Sequence, residues 1–157
     1  MTAACDFVSR SPEETFDAAR RLGASLRGGD VVALVGELGA GKTWFVKGLA
    51  SGAGVANPSE VKSPSFVLIN IYGGRVAIYH IDAYRLAVGD DFEDLGCGEF
   101  LHAPDKLGVV EWADRVMETI EEPYLRVRLE HAGPSERRIA IDWVGKPPHA
   151  VDLSGCG

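Results

Sequence analysis

Val31-Val32-Ala33-Leu34-Val35-Gly36-Glu37-Leu38-Gly39-Ala40-Gly41-Lys42-Thr43 runs from an apolar segment straight into the pattern G-x-x-x-x-G-K-[ST]. Five apolar residues without alternation read as a buried strand. Residues from Lys42 to Leu49 have helical composition, with Phe45 and Leu49 four apart on one face. Strand, turn and helix therefore stand in the order a phosphate-binding P-loop requires. Three glycines let the backbone close round an anion, so that successive N–H groups and the positive end of the helix face the phosphates. Lys42 adds a mobile charge for the β- and γ-phosphate oxygens, and Thr43 offers a hydroxyl to Mg²⁺, a hard cation that prefers oxygen. Glu37, Leu38, Gly39, Ala40 and Gly41 complete the expected nucleotide contacts.

Outward from this loop, 157 residues with 46% hydrophobic content are enough for one domain with a sizeable core. The expected unit is residues 1–145, followed by a Pro/Gly-rich tail, 146–157, that frays. No apolar run approaches a membrane span, and Met1-Thr2-Ala3-Ala4-Cys5-Asp6 lacks the basic and apolar regions of a signal peptide, which predicts a cytoplasmic protein. Cys5, Cys97 and Cys156 are scattered and are expected to be ordinary free thiols. A net charge of −7 argues against this surface as a main tRNA or DNA binder, because non-specific affinity comes from Lys and Arg neutralising phosphates.

Ser11-Pro12-Glu13-Glu14 is a capping box with proline at the first helical position, and Phe16, Ala19, Leu22 and Leu26 mark the apolar face of the helix it starts. Val55 to Pro64, polar and proline-containing, reads as a loop that leads towards the nucleotide. Phe66–Tyr72 and Arg75–Ile81 read as a hairpin turned by Gly73-Gly74 with positive φ. Leu107-Gly108-Val109-Val110 is a short buried strand, with a helical stretch expected from Ala113 to Ile120. A last hairpin alternates Leu125, Val127 and Leu129 with Arg126, Arg128 and Glu130, turns at Gly133-Pro134, and returns through Ile139 and Ile141. The pattern predicts an α/β fold: a single P-loop NTPase-like domain with a mixed β-sheet, helices on both faces and antiparallel hairpins.

Two acids follow apolar strands: Asp82 after Val76–Ile81, and Glu111 after Leu107–Val110. A carboxylate at the carboxyl end of a strand beside the P-loop faces the ligand crevice, where it holds Mg²⁺ through water or orients the attacking water. Either acid suits that place.

Gly36–Thr43, Ser63-Pro64-Ser65-Phe66, His80-Ile81-Asp82-Ala83-Tyr84-Arg85-Leu86, Asp94-Leu95-Gly96 and Val110-Glu111-Trp112 together resemble TsaE, a bacterial P-loop ATPase family also called YjeE, over about residues 9 to 143. The resemblance implies a role in making N6-threonylcarbamoyladenosine next to the anticodon of tRNA. In that family the protein binds TsaD and TsaB and hydrolyses ATP, while TsaD transfers the threonylcarbamoyl group; tRNA is met through the complex. It also implies Lys42 on the phosphates, Thr43 and Glu111 on Mg²⁺, Asp82 near the γ-phosphate and its water, and Ser63 and Ser65 on a switch-like loop. Ser11 matches a position near the nucleotide, although its capping role already explains it, and Trp112 stands beside the crevice. Ser65 replaces the family's usual Thr but keeps a hydroxyl, whereas Val67 loses one. Trp44 replaces a Thr and is expected to pack against the sheet. His80 and Tyr84-Arg85 orient Asp82, contact a partner or make a structural hydrogen bond.

Other P-loop activities fit less well. A GTPase needs an Asn-Lys-x-Asp reader, which is absent from the sequence. A small-molecule kinase needs an arginine-bearing lid, yet Gly89 to Asp105 is acidic. A third reading is a binding module in which nucleotide only switches partner affinity and hydrolysis is incidental. From the charge, the isolated chain is expected to bind tRNA weakly; tight, salt-sensitive retention of tRNA in a filter assay would contradict this.

Overall fold

The apolar run ahead of the phosphate loop forms the central strand of a seven-stranded mixed sheet. The computed structural model describes residues 4–37, 39, 41–61, 69–83 and 101–156. In chain order the elements are β1 (Ala4–Ser9), α1 (Pro12–Ser25), β2 (Val31–Gly36), α2 (Lys42–Gly52), β3 (Ile69–Tyr72), β4 (Ala77–Asp82), β5 (Lys106–Glu111), β6 (Tyr124–His131) and β7 (Arg137–Val144). Spatially the strands run β1-β7-β6-β2-β5-β4-β3. β2 pairs in parallel with both β5 and β6, and β5 in parallel with β4, whereas β3, β7 and β1 are joined antiparallel to their neighbours.

Side chains of β2 alternate between two cores, which explains the unbroken apolar run. Val32 and Leu34 join Leu22 and Leu26 of α1 and Phe45 and Leu49 of α2 on one face. Val31 and Ala33 pack on the other with Ile81, Leu101, Val110, Val116 and Ile120. Both α-helices among the described residues thus cover the first face. The second is covered by Leu101 and by 3₁₀ turns at Ala113–Arg115 and Met117–Thr119. These turns replace the continuous helix expected from Ala113 to Ile120. A segment this short gains little from helical hydrogen bonds, and packing Val116 and Ile120 onto the sheet decides its path.

The two helices pack almost backbone to backbone. A Cβ on Gly48 would run into the Phe16 carbonyl and lie 2.6 Å from the Ala19 methyl. The start of α1 follows the capping box: Glu14 N donates to Ser11 Oγ at 3.1 Å, and Arg10 N donates to the Glu14 carboxylate at 2.8 Å. Its end is capped from far away. Arg75, in the β3–β4 connection, donates to the carbonyls of Leu26 and Gly23, each at 3.1 Å, satisfying acceptors at the negative end of the helix. That connection is longer than a two-residue turn, since Tyr72 pairs with Ile78, and neither Gly73 nor Gly74 adopts positive φ. Gly74 is needed for space instead, because a Cβ there would lie 2.7 Å from the Ala53 carbonyl.

The tail returns to the body where fraying was expected. His149 Nε2 meets the Asp30 carboxylate at 2.8 Å, Asp152 N donates to Ser25 Oγ at 2.8 Å, and Val151, Leu153 and Cys156 pack against the core. Cys156 is bonded to Cys5 of β1 in a disulfide, with Cα atoms 6.0 Å apart, so the expectation of free thiols at these two positions is corrected. Their separation of 151 residues gave no spacing pattern to read, and only the return of the tail to β1 brings them together. Cys97 lies outside the described residues. In the non-reduced, denatured protein only Cys97 is therefore expected to react with a thiol reagent, against all three cysteines after reduction. Cys156→Ser is expected to lower unfolding stability by about 2–4 kcal/mol in denaturant titration; three reactive thiols before reduction would contradict the link.

Candidate nucleotide site

β2 ends at Gly36 and α2 begins at Lys42, so the intervening loop closes over the carboxyl edge of the central strand. Gly39 has φ +79° and Gly41, which caps α2, has φ +95°. Both values lie in the left-handed region that glycine occupies without steric penalty, which is why the motif needs glycine there. The first N–H groups of α2 lack earlier helical acceptors and carry the positive end of the helix dipole. Leu38 and Ala40 lie outside the described residues. So do Ser63, Ser65 and Val67 of the switch-like loop, Tyr84-Arg85, and Asp94-Leu95-Gly96.

The strand register brings the two candidate acids side by side. Asp82 on β4 is the partner of Glu111 on β5, and Glu111 is in turn the partner of Leu34 on β2. Both carboxylates and Lys42 line one cavity of about 750 Å³, together with Ser11, Gly41, Thr43 and Trp112. Lys42 is 7% exposed and Glu111 2%. The Lys42 ammonium donates to the Gly36 carbonyl and sits 3.4 Å from the centroid of the Trp112 ring, a cation–π contact. Burial pushes Lys42 below the usual lysine value, and the negative charges of Glu111, Asp114 and Asp82 partly offset that loss.

Trp112 reaches this place through an uncommon backbone. Its φ of 57° and ψ of 38° are left-handed, a conformation that costs a bulky residue about 1–3 kcal/mol. The turn ends β5 and swings the indole over Lys42. His80 also departs from one expectation. It does not orient Asp82, its neighbour two residues on; its Nε2 lies 2.7 Å from Glu111 Oε2. Trp44 is 44% exposed at the cavity wall, with Lys47 Nζ 5.2 Å from its ring centroid, so the expected packing against the sheet is corrected. On α2 its position lies away from the stripe of Phe45 and Leu49, and that stripe faces the core.

The sequence reading missed Thr15, Pro134, Ser135 and Arg137, all of which line the cavity. Arg137 follows the β6–β7 turn, and its guanidinium donates to the Glu136 carbonyl at 2.8 Å. The turn residues Gly133-Pro134 were visible as a turn, but nothing in their spacing showed that the hairpin overhangs the phosphate loop.

A parallel central strand, a glycine loop at its carboxyl end, and a lysine at the start of the following helix make this a P-loop NTPase-like domain. The chain belongs to the TsaE family: the family model for "Threonylcarbamoyl adenosine biosynthesis protein TsaE" matches residues 9–139. The chain is 40% identical over 134 residues to the tRNA threonylcarbamoyladenosine biosynthesis protein TsaE of Treponema pallidum, covering 85% of this chain and 97% of that protein. Identity to the Bacillus subtilis protein of the same name is 40% over 136 residues, covering 86% and 83% of the two chains. Among solved structures, the crystal structure of Bacillus subtilis YdiB is similar with a TM-score of 0.74 and 34% identity, covering 92% of this chain and 88% of that one.

Lys42→Ala removes an ammonium from the cavity without opening the apolar core, since among the described residues that ammonium donates to the Gly36 carbonyl and lies over the Trp112 face. A folded variant with at least ~10-fold weaker ATP binding by calorimetry is expected, in line with the loss of a charge-assisted contact of about 1.5–3 kcal/mol. Unchanged affinity would contradict the phosphate assignment of the loop.

Proposed function

We propose that the chain is a Mg²⁺-dependent ATPase of tRNA N6-threonylcarbamoyladenosine biosynthesis, binding ATP at Gly36–Thr43 and working with TsaB and TsaD in the cytoplasm. The family and the names of its relatives support the pathway. The observation that carries the chemistry is the convergence of Lys42, Thr43, Asp82 and Glu111 on one cavity. No described helix is long and apolar enough to cross a membrane.

The donor set fits the expected ligands. Thr43 and Glu111 supply hard oxygens suited to Mg²⁺, and the glycine loop with Lys42 supplies donors suited to phosphate. Bound Mg²⁺ would neutralise charge on the phosphate oxygens. Lys42 exchanges the Gly36 carbonyl for phosphate oxygens, which are stronger acceptors because they are charged. As it moves, it leaves the Trp112 ring, so ATP binding changes Trp112 fluorescence. Asp82 would stand near the γ-phosphate and its water, while Glu111 would hold the cation and help place the attacking water. Catalysis of this kind is chiefly positioning and electrostatics, so residues held on sheet strands suit it better than loop residues. tRNA is reached through the partner proteins, consistent with the net charge of −7.

Glu111→Gln keeps the shape and removes the charge. Single-turnover hydrolysis with TsaB and TsaD is expected to fall ~10²-fold or more while ATP still binds, and Asp82→Asn is expected to slow it less. A fully active Glu111→Gln would transfer the leading role to Asp82. Phosphate transferred to a small acceptor, rather than released, would make the protein a kinase instead.

A further inference from the structure

The expected functions of Glu111 leave a buried neighbour unexplained. His80 is fully buried at the middle of β4, and a histidine at such a position needs partners for both ring nitrogens. It has them: the Tyr72 hydroxyl of β3 lies 3.2 Å from Nδ1, and Glu111 Oε2 of β5 lies 2.7 Å from Nε2. Three adjacent strands, β3, β4 and β5, each contribute one member.

Resting on the functional reading above, we infer that His80 is a positioning residue for Glu111, with its tautomer set by the carboxylate and matched by the Tyr72 hydroxyl. The hydrogen-bond network sets the proton. A carboxylate oxygen only accepts, so Nε2–H donates to Glu111 Oε2. In the neutral ring Nδ1 is then an acceptor, and Tyr72 O–H donates to it. Glu111 is 2% exposed at the end of its strand, where a buried carboxylate needs hydrogen-bond donors, and the His80 ring supplies one. With Oε2 held by His80, the side chain is restrained and the group is presented to the cavity shared with Lys42. Outer-shell donors of this kind typically change metal affinity or activity 10- to 100-fold when removed.

The arrangement also answers why His80 precedes Asp82 by two. Alternate residues of a strand share a face. Asp82 is level with Glu111 in the register and His80 is two residues back, level with Val109, so the ring reaches diagonally to a carboxylate whose direct neighbour is Asp82. Two side chains of β4 thus serve one site in different ways.

Three variants test this with separate readouts: His80→Phe, His80→Gln and Tyr72→Phe. With TsaB and TsaD present, His80→Phe is expected to lower kcat for ATP hydrolysis ~10–100-fold with the KM for ATP within about threefold of wild type. His80→Gln, whose amide donates near the former Nε2, is expected to recover part of that loss. In a Glu111→Gln background, His80→Phe is expected to have no further effect, since both changes remove one interaction. Independently of nucleotide, ¹⁵N NMR of the wild-type ring is expected to show the proton on Nε2, to keep it there in Tyr72→Phe, where the carboxylate still accepts, and to lose that preference in Glu111→Gln. An Nδ1–H tautomer, additive His80 and Glu111 effects, or an unchanged kcat in a folded His80→Phe would each overturn the positioning role. A wild-type chain that neither binds nor hydrolyses ATP would overturn the functional reading alone, and the ring tautomer would then decide the Tyr72–His80–Glu111 relay by itself.

Discussion

The parallel pairing of β5 with β2 is the constraint on which the rest depends. It sets Glu111 beside Leu34, two residues before the glycine loop begins, and its pairing on the other side sets Asp82 beside Glu111. A slip of one residue would turn Glu111 towards the opposite face and bury Val110 among the polar groups. The apolar faces prevent such a slip, because Val109 belongs to one core and Val110 to the other. Packing on both sides of the sheet thereby fixes the register that places the carboxylate.

Burying Lys42, Glu111 and His80 in one region opposes folding in its own right. Charges taken from water recover their hydration only through well-made partners, and such clusters commonly contribute little net stability. Here the partners are supplied within the cluster: the Trp112 face and the Gly36 carbonyl for Lys42, and His80 for Glu111. Trp112 adds a left-handed backbone to the same place. Strain and buried charge gathered at the edge of an otherwise apolar core are what a preorganised binding site requires, and the compensating stability comes from the two cores and the closely packed helix pair.

Several long-range ties hold this frame. Arg75 caps the end of α1 from the β3–β4 connection, Asp30 meets His149 of the tail, and Cys5 is joined to Cys156. The start of α1 serves two purposes, since Ser11 caps the helix and also lines the cavity. One residue thus couples the stability of a helix to the shape of the site.

Local signals decided much of this protein. The apolar run at Val31–Val35, the glycines of Gly36–Lys42 and the capping box at Ser11 each act over a few residues, through φ restrictions, strand burial and orphan N–H groups, so they are legible in the chain itself. The alternation in β6 and β7 likewise set their faces. Tertiary structure decided what depends on distant partners: which acid stands beside which, that His80 serves Glu111 rather than Asp82, that Trp44 faces solvent, and that Arg137 overhangs the loop. It also decided that residues 113–120 wind as 3₁₀ turns and that the tail folds back to close a disulfide. Each of these outcomes is set by packing or pairing across tens of residues, where local propensity is too weak to choose, and the physical reason is that a side chain's role comes from the neighbours the sheet gives it.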